Sequence, residues 1–391
     1  MTGKEKASME RGKQLQYTTI QARLYPTPQQ AELFEKTFDC CRYLWNQMLA
    51  DQQRFYLETG VHFIPTPAKY KNGAPFLKEV DNQALIQEHN KLSQAFRVFF
   101  QNPESFGYPR FKRKKDNKNS FSACNHDFPS GATIYTSKDG IRMTKAGIVK
   151  AKFSRKPKAD WKLKRITVQK TKTGKFFCSI VYAYTAQTPE PVQPTQERTV
   201  GLKYSVPHFF VADDGTTADP PQWLKRSQEK LANYQRKLSR MQPGSKNYQE
   251  MVQKYRALHE HIANQRRDFI HKQSSRIAND WDAVCVRDDA LDEVNRTMKR
   301  ANLYEAGFGM FRACLKYKLA RQGKQYIPVD RYYPSSRICC RCGYQLPQAA
   351  DYNRRTWICP ECGAVLNREV NAAQNIKEQG LRQIFPHKKT P

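Results

Sequence analysis

Four cysteines near the C-terminus stand as two close pairs, Cys339-x-x-Cys342 and Cys359-x-x-Cys362, with sixteen residues between them. Thiolates at this spacing form two tight knuckles and close a tetrahedral shell around zinc. Gly343 and Gly363 follow the knuckles and let the backbone turn toward the metal. Cys340 sits inside the first knuckle and is expected to stay out of the shell. Four thiolates leave no open coordination position, so the expected zinc is structural rather than catalytic. The other cysteines, Cys40, Cys41, Cys124, Cys178, Cys285 and Cys314, are scattered through apolar or mixed stretches and are expected to be buried free thiols.

A second cluster has a different chemistry. Arg110, Lys112, Arg113, Lys114 and Lys115 are interleaved with Tyr108, Phe111 and Phe121. Guanidinium and ammonium groups suit phosphates, and aromatic rings can stack on bases or sugars. The whole chain has the same bias: 67 lysines and arginines against 36 acidic residues give a net charge of +31 over 391 residues. Such a field favours a polyanion, nucleic acid first. No apolar run is long enough to span a bilayer, and no signal peptide opens the chain. A membrane partner is therefore not expected, and nothing points to a small-molecule substrate.

These clusters must be carried by several elements. A strand is expected in "LQYTTIQARLYP", followed by a helix that Thr27 caps, with Pro28 in the first turn and Gln30 completing a capping box. Phe34, Phe38, Cys41, Trp45 and Met48 follow at helical spacing. Val61–Lys78 reads as a loop, and Asp81–Gln101 as a second helix. From Phe106 to Tyr184 the pattern is that of strands, with hairpin turns at Asp139-Gly140 and near Gly174, forming a small barrel or twisted sheet. Pro189, Pro191 and Pro194 mark a linker. A hairpin from Val200 to the Asp214-Gly215 turn comes next, then helices over Gln222–Met241 and Ser245–Asp280. A buried strand "DAVCVRDD", a helix over Gly309–Gln322, a strand "KQYIPVDRYY" and a final helix in "NREVNAAQNIKEQG" complete an α/β layer with a mixed sheet.

Several blocks, in order, resemble the TnpB proteins of bacterial insertion sequences, relatives of the compact type V CRISPR effectors. These are "QARLYPTPQQAELFEKTFDCCRYLWNQML", "FGYPRFKRKKDNKNSFS", "RRDFIHKQSSRIANDWDAVCVRDDAL", "VDRYYPSSRICCRCG" and "CPECGAVLNREVNAAQNI". The resemblance runs from Tyr17 to about Gly380. It implies a multidomain α/β protein. After a disordered tail (1–16) come a wedge β-barrel (17–30 and 106–190) and an inserted helical recognition lobe (31–105). A RuvC domain of RNase H fold (199–334 and 367–391) carries a helical insertion at about 222–280, and a zinc ribbon occupies 335–366. The implied partners are a guide RNA and a double-stranded DNA target with an adjacent motif. The implied setting is the bacterial cytoplasm, at the nucleoid. "VDNQALIQEHNKL" resembles the helix that reads the adjacent motif. Asn82, Gln83 and Gln87 are its candidate base readers, since amides pair with adenine in the major groove; helix capping by Asn82 is the structural alternative.

The same resemblance exposes three departures. RuvC-type nucleases hold two Mg²⁺ ions with a strand Asp, a second-strand Glu and a C-terminal Asp. Where the family reads Gly-Ile-Asp-Leu-Gly, this chain reads Gly201-Leu202-Lys203-Tyr204-Ser205, losing both the Asp and the turn glycine. Arg287 stands where the Glu belongs, and Glu369 where the last Asp belongs. Three carboxylates would contribute −3; Lys203, Arg287 and Glu369 contribute +1. Two unit charges 4 Å apart interact by about 4 kcal/mol at an effective dielectric near 20, so two cations oppose a divalent ion strongly. One carboxylate cannot hold two metals. The expectation is a nuclease-dead relative that resembles the TnpB-like nuclease-dead repressors. It would bind guide RNA and DNA without catalytic magnesium and block transcription by occupying a promoter. An ion pair between Glu369 and Arg287 is expected at the substituted site. Two alternatives stand beside this one. One is an active Mg²⁺ endonuclease using displaced carboxylates, with Asp288 and Asp289 as the candidates, since Asp213 and Asp214 sit in a hairpin turn that needs them for its backbone. The other is a basic zinc protein that binds nucleic acid without a guide.

Overall fold

A computed structural model describes residues 13–116, 119–129, 131–205, 208–219, 222–288, 302–347 and 355–385. The chain divides into two compact units, residues 1–187 and 188–391.

The first unit begins with strand β1 (Lys13–Tyr25), helix α1 (Pro28–Thr59) and helix α2 (Asn82–Gln101). Strands β2 (Ser120–Cys124), β3 (Asp127–Phe128), β4 (Gly131–Ala132), β5 (Tyr135–Thr136), β6 (Gly140–Met143), β7 (Gly147–Phe153), β8 (Lys162–Lys170) and β9 (Phe176–Gln187) follow. Seven of them form one sheet in the order β2-β8-β9-β1-β7-β6-β5. Its centre is the long antiparallel pairing of β1 with β9, from Lys13↔Gln187 to Leu24↔Phe176. The barrel expected from sequence is an open half-barrel among the described residues. Its edge strand β5 has two residues, too few to zip onto β2 at the other edge. Residues 13–16, expected in the tail, belong to β1, and the rest of that expected tail lies outside the described residues.

Helix α1 starts as expected. Thr27 Oγ1 accepts from Gln30 N–H, and the Gln30 side chain accepts from Thr27 N–H, satisfying two of the donors that a helix start leaves orphaned. The helix serves two cores. Phe34, Phe38 and Cys41 pack on the sheet with Ile20, Phe121, Ile166 and Ile180. Cys40, Leu44, Met48 and Leu49 pack against Leu85, Leu92 and Phe96 of α2. Asp81, rather than Asn82, caps α2: its carboxylate accepts from Gln83 N–H at 2.9 Å. The 61–78 loop contains two short 3₁₀ turns, Pro67–Tyr70 and Pro75–Lys78.

The second unit carries a five-stranded mixed sheet in the order β12-β11-β10-β13-β14. Its strands are β10 (Thr199–Tyr204), β11 (Phe210–Ala212), β12 (Thr217–Ala218), β13 (Ala283–Arg287) and β14 (Gln325–Val329). Helices α3 (Gln222–Leu238), α4 (Lys246–Asp280), α5 (Asn302–Ala320) and α6 (Arg368–Ile384) surround it, and β15 (Thr356–Ile358) pairs with β16 (Val365–Asn367) in the cysteine segment. Helix α5 starts earlier than its apolar pattern suggests. One sheet face packs Val200, Leu202, Val284 and Val286 on Ile270 and Ile277 of α4 and on Phe311 and Leu315 of α5. The other face packs Ala283, Cys285, Ile327 and Val329 on α6 through Ile376. The proline segment is not a loose linker: Val192 N–H donates to Gly323 O at 2.9 Å. A Cβ on Gly323, at φ +70°, would lie 2.1 Å from Glu190 O.

Candidate functional site

The four cysteines of the ribbon meet. Their sulfurs all lie within 4.8 Å of one another, with 3.7 Å between Cys339 and Cys362 and 3.5 Å between Cys342 and Cys359. A Zn–S bond of about 2.3 Å puts tetrahedral sulfurs about 3.8 Å apart, so the constellation fits zinc. Two matching knuckles build it. Gly343 N–H donates to Cys339 O and Gly363 N–H to Cys359 O, both at 2.9 Å. Both glycines have positive φ, +79° and +68°. Cys340 is not among the four; its N–H donates to Asn371 Oδ1. Of the six scattered cysteines, five are buried and Cys124 is half-buried.

Asn371 has a partner in this role that sequence reasoning missed. Asn371 Nδ2 and Asn375 Nδ2 both donate to Ile338 O at 2.7 Å, and Asn375 also reaches Ser335 O. Spaced by four, they share one face of α6 and grip the backbone entering the first knuckle. Ala372 and Ala373, fully buried, lie on the α6 turn that approaches β10. A Cβ on Gly201 would lie 2.2 Å from Ala373 O, so only glycine lets α6 approach this closely.

That approach brings Lys203, Arg287 and Glu369 toward one another. Strands β10 and β13 are parallel with Leu202 opposite Val286, so Lys203 and Arg287 are one residue further along adjacent strands. Side chains alternate across a sheet, so Lys203 shares the face of Gly201, and Arg287 the face of Cys285. Both faces are the one covered by α6, since a Cβ on Gly380 would meet Cys285 Sγ at 2.2 Å. Glu369 lies in the first turn of α6, where Asn367 Oδ1 caps the helix.

Its carboxylate does not pair with Arg287. Glu369 Oε1 accepts from Ser205 Oγ at 2.6 Å, and Lys203 Nζ donates to Tyr204 O at 2.8 Å. The expected ion pair is thus replaced by a hydroxyl. Ser205 stands at the turn-glycine position, is nearly buried, and is short enough to reach the carboxylate directly. The neighbouring carboxylates have work elsewhere. Asp213 accepts from Gly201 N–H and pairs with Lys377 at 2.9 Å. Asp214 accepts from Thr216 N–H as a turn residue, and Asp288 pairs with Arg312 at 2.6 Å. Asp289 lies outside the described residues.

The basic run is an extended strap sewn onto α1. Trp45 Nε1 donates to Arg110 O, and Asn46 exchanges two hydrogen bonds with the Lys112 backbone. Tyr108 O–H donates to Gln52 Oε1 at 2.8 Å. Lys112 turns inward. Its ammonium lies 2.6 Å from a carboxylate oxygen of Glu88, which is 0% exposed, and 3.9 Å from the centre of the Trp45 ring. Lys114 pairs with Asp39 and Arg113 with Asp116. Arg110, Phe111, Arg113, Lys114 and Lys115 stay exposed. Phe121 is a correction: at 5% exposure it sits against Phe34 and Phe38, because strand alternation aims it into the sheet core, so it is no stacking ring. On α2, Asn82 is exposed and accepts from Lys71 Nζ at 2.7 Å, while Gln83 and Gln87, one turn apart, are half-buried.

Three family models match in chain order: "Helix-turn-helix domain" of the OrfB_IS605 type over 16–60, "Probable transposase" of the same type over 179–293, and "Cas12f1-like, TNB domain" over 308–376. A "Putative RNA-guided DNA endonuclease" of Streptomyces pristinaespiralis is 29% identical over 92% of this chain and 88% of its own. The "Putative RNA-guided DNA endonuclease InsQ" of Escherichia coli K12 is 28% identical over 94% and 93%. The solved Cas12f1–sgRNA–target DNA complex covers 94% of this chain and 99% of its own with a TM-score of 0.57; at 12% identity it is the fold that is shared. The chain is thus similar, segment by segment, to IS605-type OrfB and Cas12f1-like family models and, along most of its length, to these two relatives. No helix among the described residues is long and apolar enough to cross a membrane.

Proposed function

We propose that this protein is an RNA-guided, sequence-specific double-stranded DNA-binding protein that does not cut, and that it represses transcription by occupying a promoter. The carrying observation is the α6 face of the second sheet. Lys203 and Arg287 lie at neighbouring positions of adjacent strands, at the places where the family resemblance puts metal-binding carboxylates, and the Glu369 carboxylate is hydrogen-bonded to Ser205. Divalent metals need clustered negative charge, and this site offers a net positive one. Displaced carboxylates are a poor substitute, since Asp213, Asp214 and Asp288 already hold the hairpin, the turn and α5. The names of the Streptomyces and Escherichia coli relatives, both putative RNA-guided DNA endonucleases, support a guide RNA and a DNA target as partners. The zinc of the ribbon is structural, and no catalytic magnesium is expected. Sequencing the RNA that copurifies with the protein, followed by gel shift on a duplex matched to it, tests the guided reading. Defined RNA and a guide-dependent shift are expected. Binding that is indifferent to guide and sequence would favour a guide-independent nucleic-acid-binding protein.

A further inference from the structure

The C-terminal ends of α1 and α2 meet and carry a group of rings that the strap and the α6 face leave unexplained. His62 packs on Phe96 at 4.6 Å and on Phe100 at 5.1 Å; Phe55 packs on Phe63 at 5.6 Å; Tyr108 packs edge-on against Phe96 and Phe99. Only Phe96 of these is buried. Phe63 is 50% exposed, Phe100 56% and Phe106, at the start of the strap, 51%. Contiguous exposed rings of this size are a recognition feature rather than a surplus of core. We propose that this end of the α1–α2 pair is a stacking platform for unpaired nucleotides of a single-stranded nucleic acid, an inference that rests on the protein being a nucleic-acid binder.

The occupant follows from what surrounds the rings. Arg97 lies one turn before Phe100 on α2 and is exposed, so it can reach a phosphate beside a stacked base. Tyr108 hands the surface on to the strap, where Arg110 and Phe111 are exposed two and three residues further along. A single strand offers both faces this surface needs, flat bases for rings and phosphates for the cations leading away. A duplex hides its base faces and would meet only the cations. Two carboxylates in the same stretches, Glu58 and Glu104, keep the end from being a pure phosphate site, so stacking must supply much of the affinity there. A second copy of the chain would bring another large positive charge to the same place, which opposes that occupant.

The test uses the full-length protein stripped of RNA at high salt, with oligouridylate and oligothymidylate of about 20 nucleotides carrying 2-aminopurine, beside a hairpin duplex. Wild type should bind both strands and quench the fluorophore. Uridylate alone would assign the strand to RNA, and both would assign stacking that ignores the 2′-hydroxyl. Phe63→Ala with Phe100→Ala should lower single-strand affinity at least about tenfold, lose the quench and leave duplex affinity and the salt slope unchanged, since stacking releases no counterions. Phe63→Trp with Phe100→Trp should retain binding. Phe106→Ala, outside the ring stack, reads the same loss if the double variant is unstable. Unchanged strand affinity and quench in Phe106→Ala and in a folded double variant would overturn the platform. So would wild-type self-association in sedimentation that these variants abolish while strand binding persists. Loss of guided duplex binding by the wild-type protein would instead refute the proposed function and leave the platform's own readout intact.

Discussion

Lys112→Met separates a phosphate contact from a structural one. The wild-type ammonium is shared between a Glu88 carboxylate that is 0% exposed and the Trp45 ring. Removing one partner of a fully buried pair costs about 3–5 kcal/mol, but the Lys112 side chain is 39% exposed, so solvent screens part of that. Here Lys91 Nζ still holds the other carboxylate oxygen at 2.6 Å, which reduces the cost. The lost cation–π contact adds about 0.5–1 kcal/mol. A net loss of about 1–2 kcal/mol should lower the melting temperature of the first unit by about 2–8 °C. Adding Glu88→Leu should recover part of that loss, since replacing both partners by apolar groups is often close to neutral. Urea and thermal unfolding measure both variants, and RNA binding over a salt series measures the slope. Arg110→Ala, by contrast, should leave stability unchanged and lower the slope by about one unit, as expected for a lost phosphate contact. If Lys112→Met melts like wild type and loses a unit of slope, the inward pairing is wrong and Lys112 is a phosphate ligand.

Three further outcomes follow from the second unit. Cys359→Ser should lose zinc and unfold the ribbon, because ribbon metal binding is coupled to folding; unchanged zinc by metal analysis would dismiss the four-thiolate site. The two hydrogen bonds from the Arg198 guanidinium, with Lys324 nearby, hold the Asp282 carboxyl below its usual range. Its contribution is present in full above the unfolded value near 4 and is lost as pH falls through the lower folded value. Asp282→Asn should therefore lower the urea midpoint at neutral pH and flatten its acid limb, and a parallel pH profile would contradict the pairing. Gly380→Ala places a Cβ 2.2 Å from Cys285 Sγ, so it should destabilise by about 1–3 kcal/mol despite the better helix former, and Cys285→Ala should recover part of the loss.

What could be read from the chain was local. The Thr27 box, the α3–α4 break, the hairpin turn at Gly174 and both zinc knuckles are set by residues within a few positions of one another, so their types announce them. Lys203, Arg287 and Glu369 were singled out by resemblance alone, and the parallel register sets the first two at neighbouring positions of adjacent strands. What was hidden depends on partners far along the chain. Glu88 is 24 residues from Lys112, and Ser205 is 164 from Glu369, so neither pairing leaves a periodic signal. Phe121 illustrates the same limit: a five-residue strand in which the ring stands between two serines does not say which face is buried until its partner β8 is fixed. The Asn371–Asn375 grip was open to discovery, since two asparagines four apart on a helix beside a metal knuckle offer donors on one face.

The central claim is that the protein recognises guided DNA and leaves it whole. The most direct measurement incubates the purified protein–RNA complex with a supercoiled plasmid bearing the matched target and Mg²⁺ or Mn²⁺, and follows nicking and linearisation beside a gel shift on the same target. A guide-dependent shift with intact plasmid is the predicted result. Reproducible guide-dependent cleavage that Glu369→Gln or Asp288→Ala abolishes would contradict it and restore a working metal site to the α6 face.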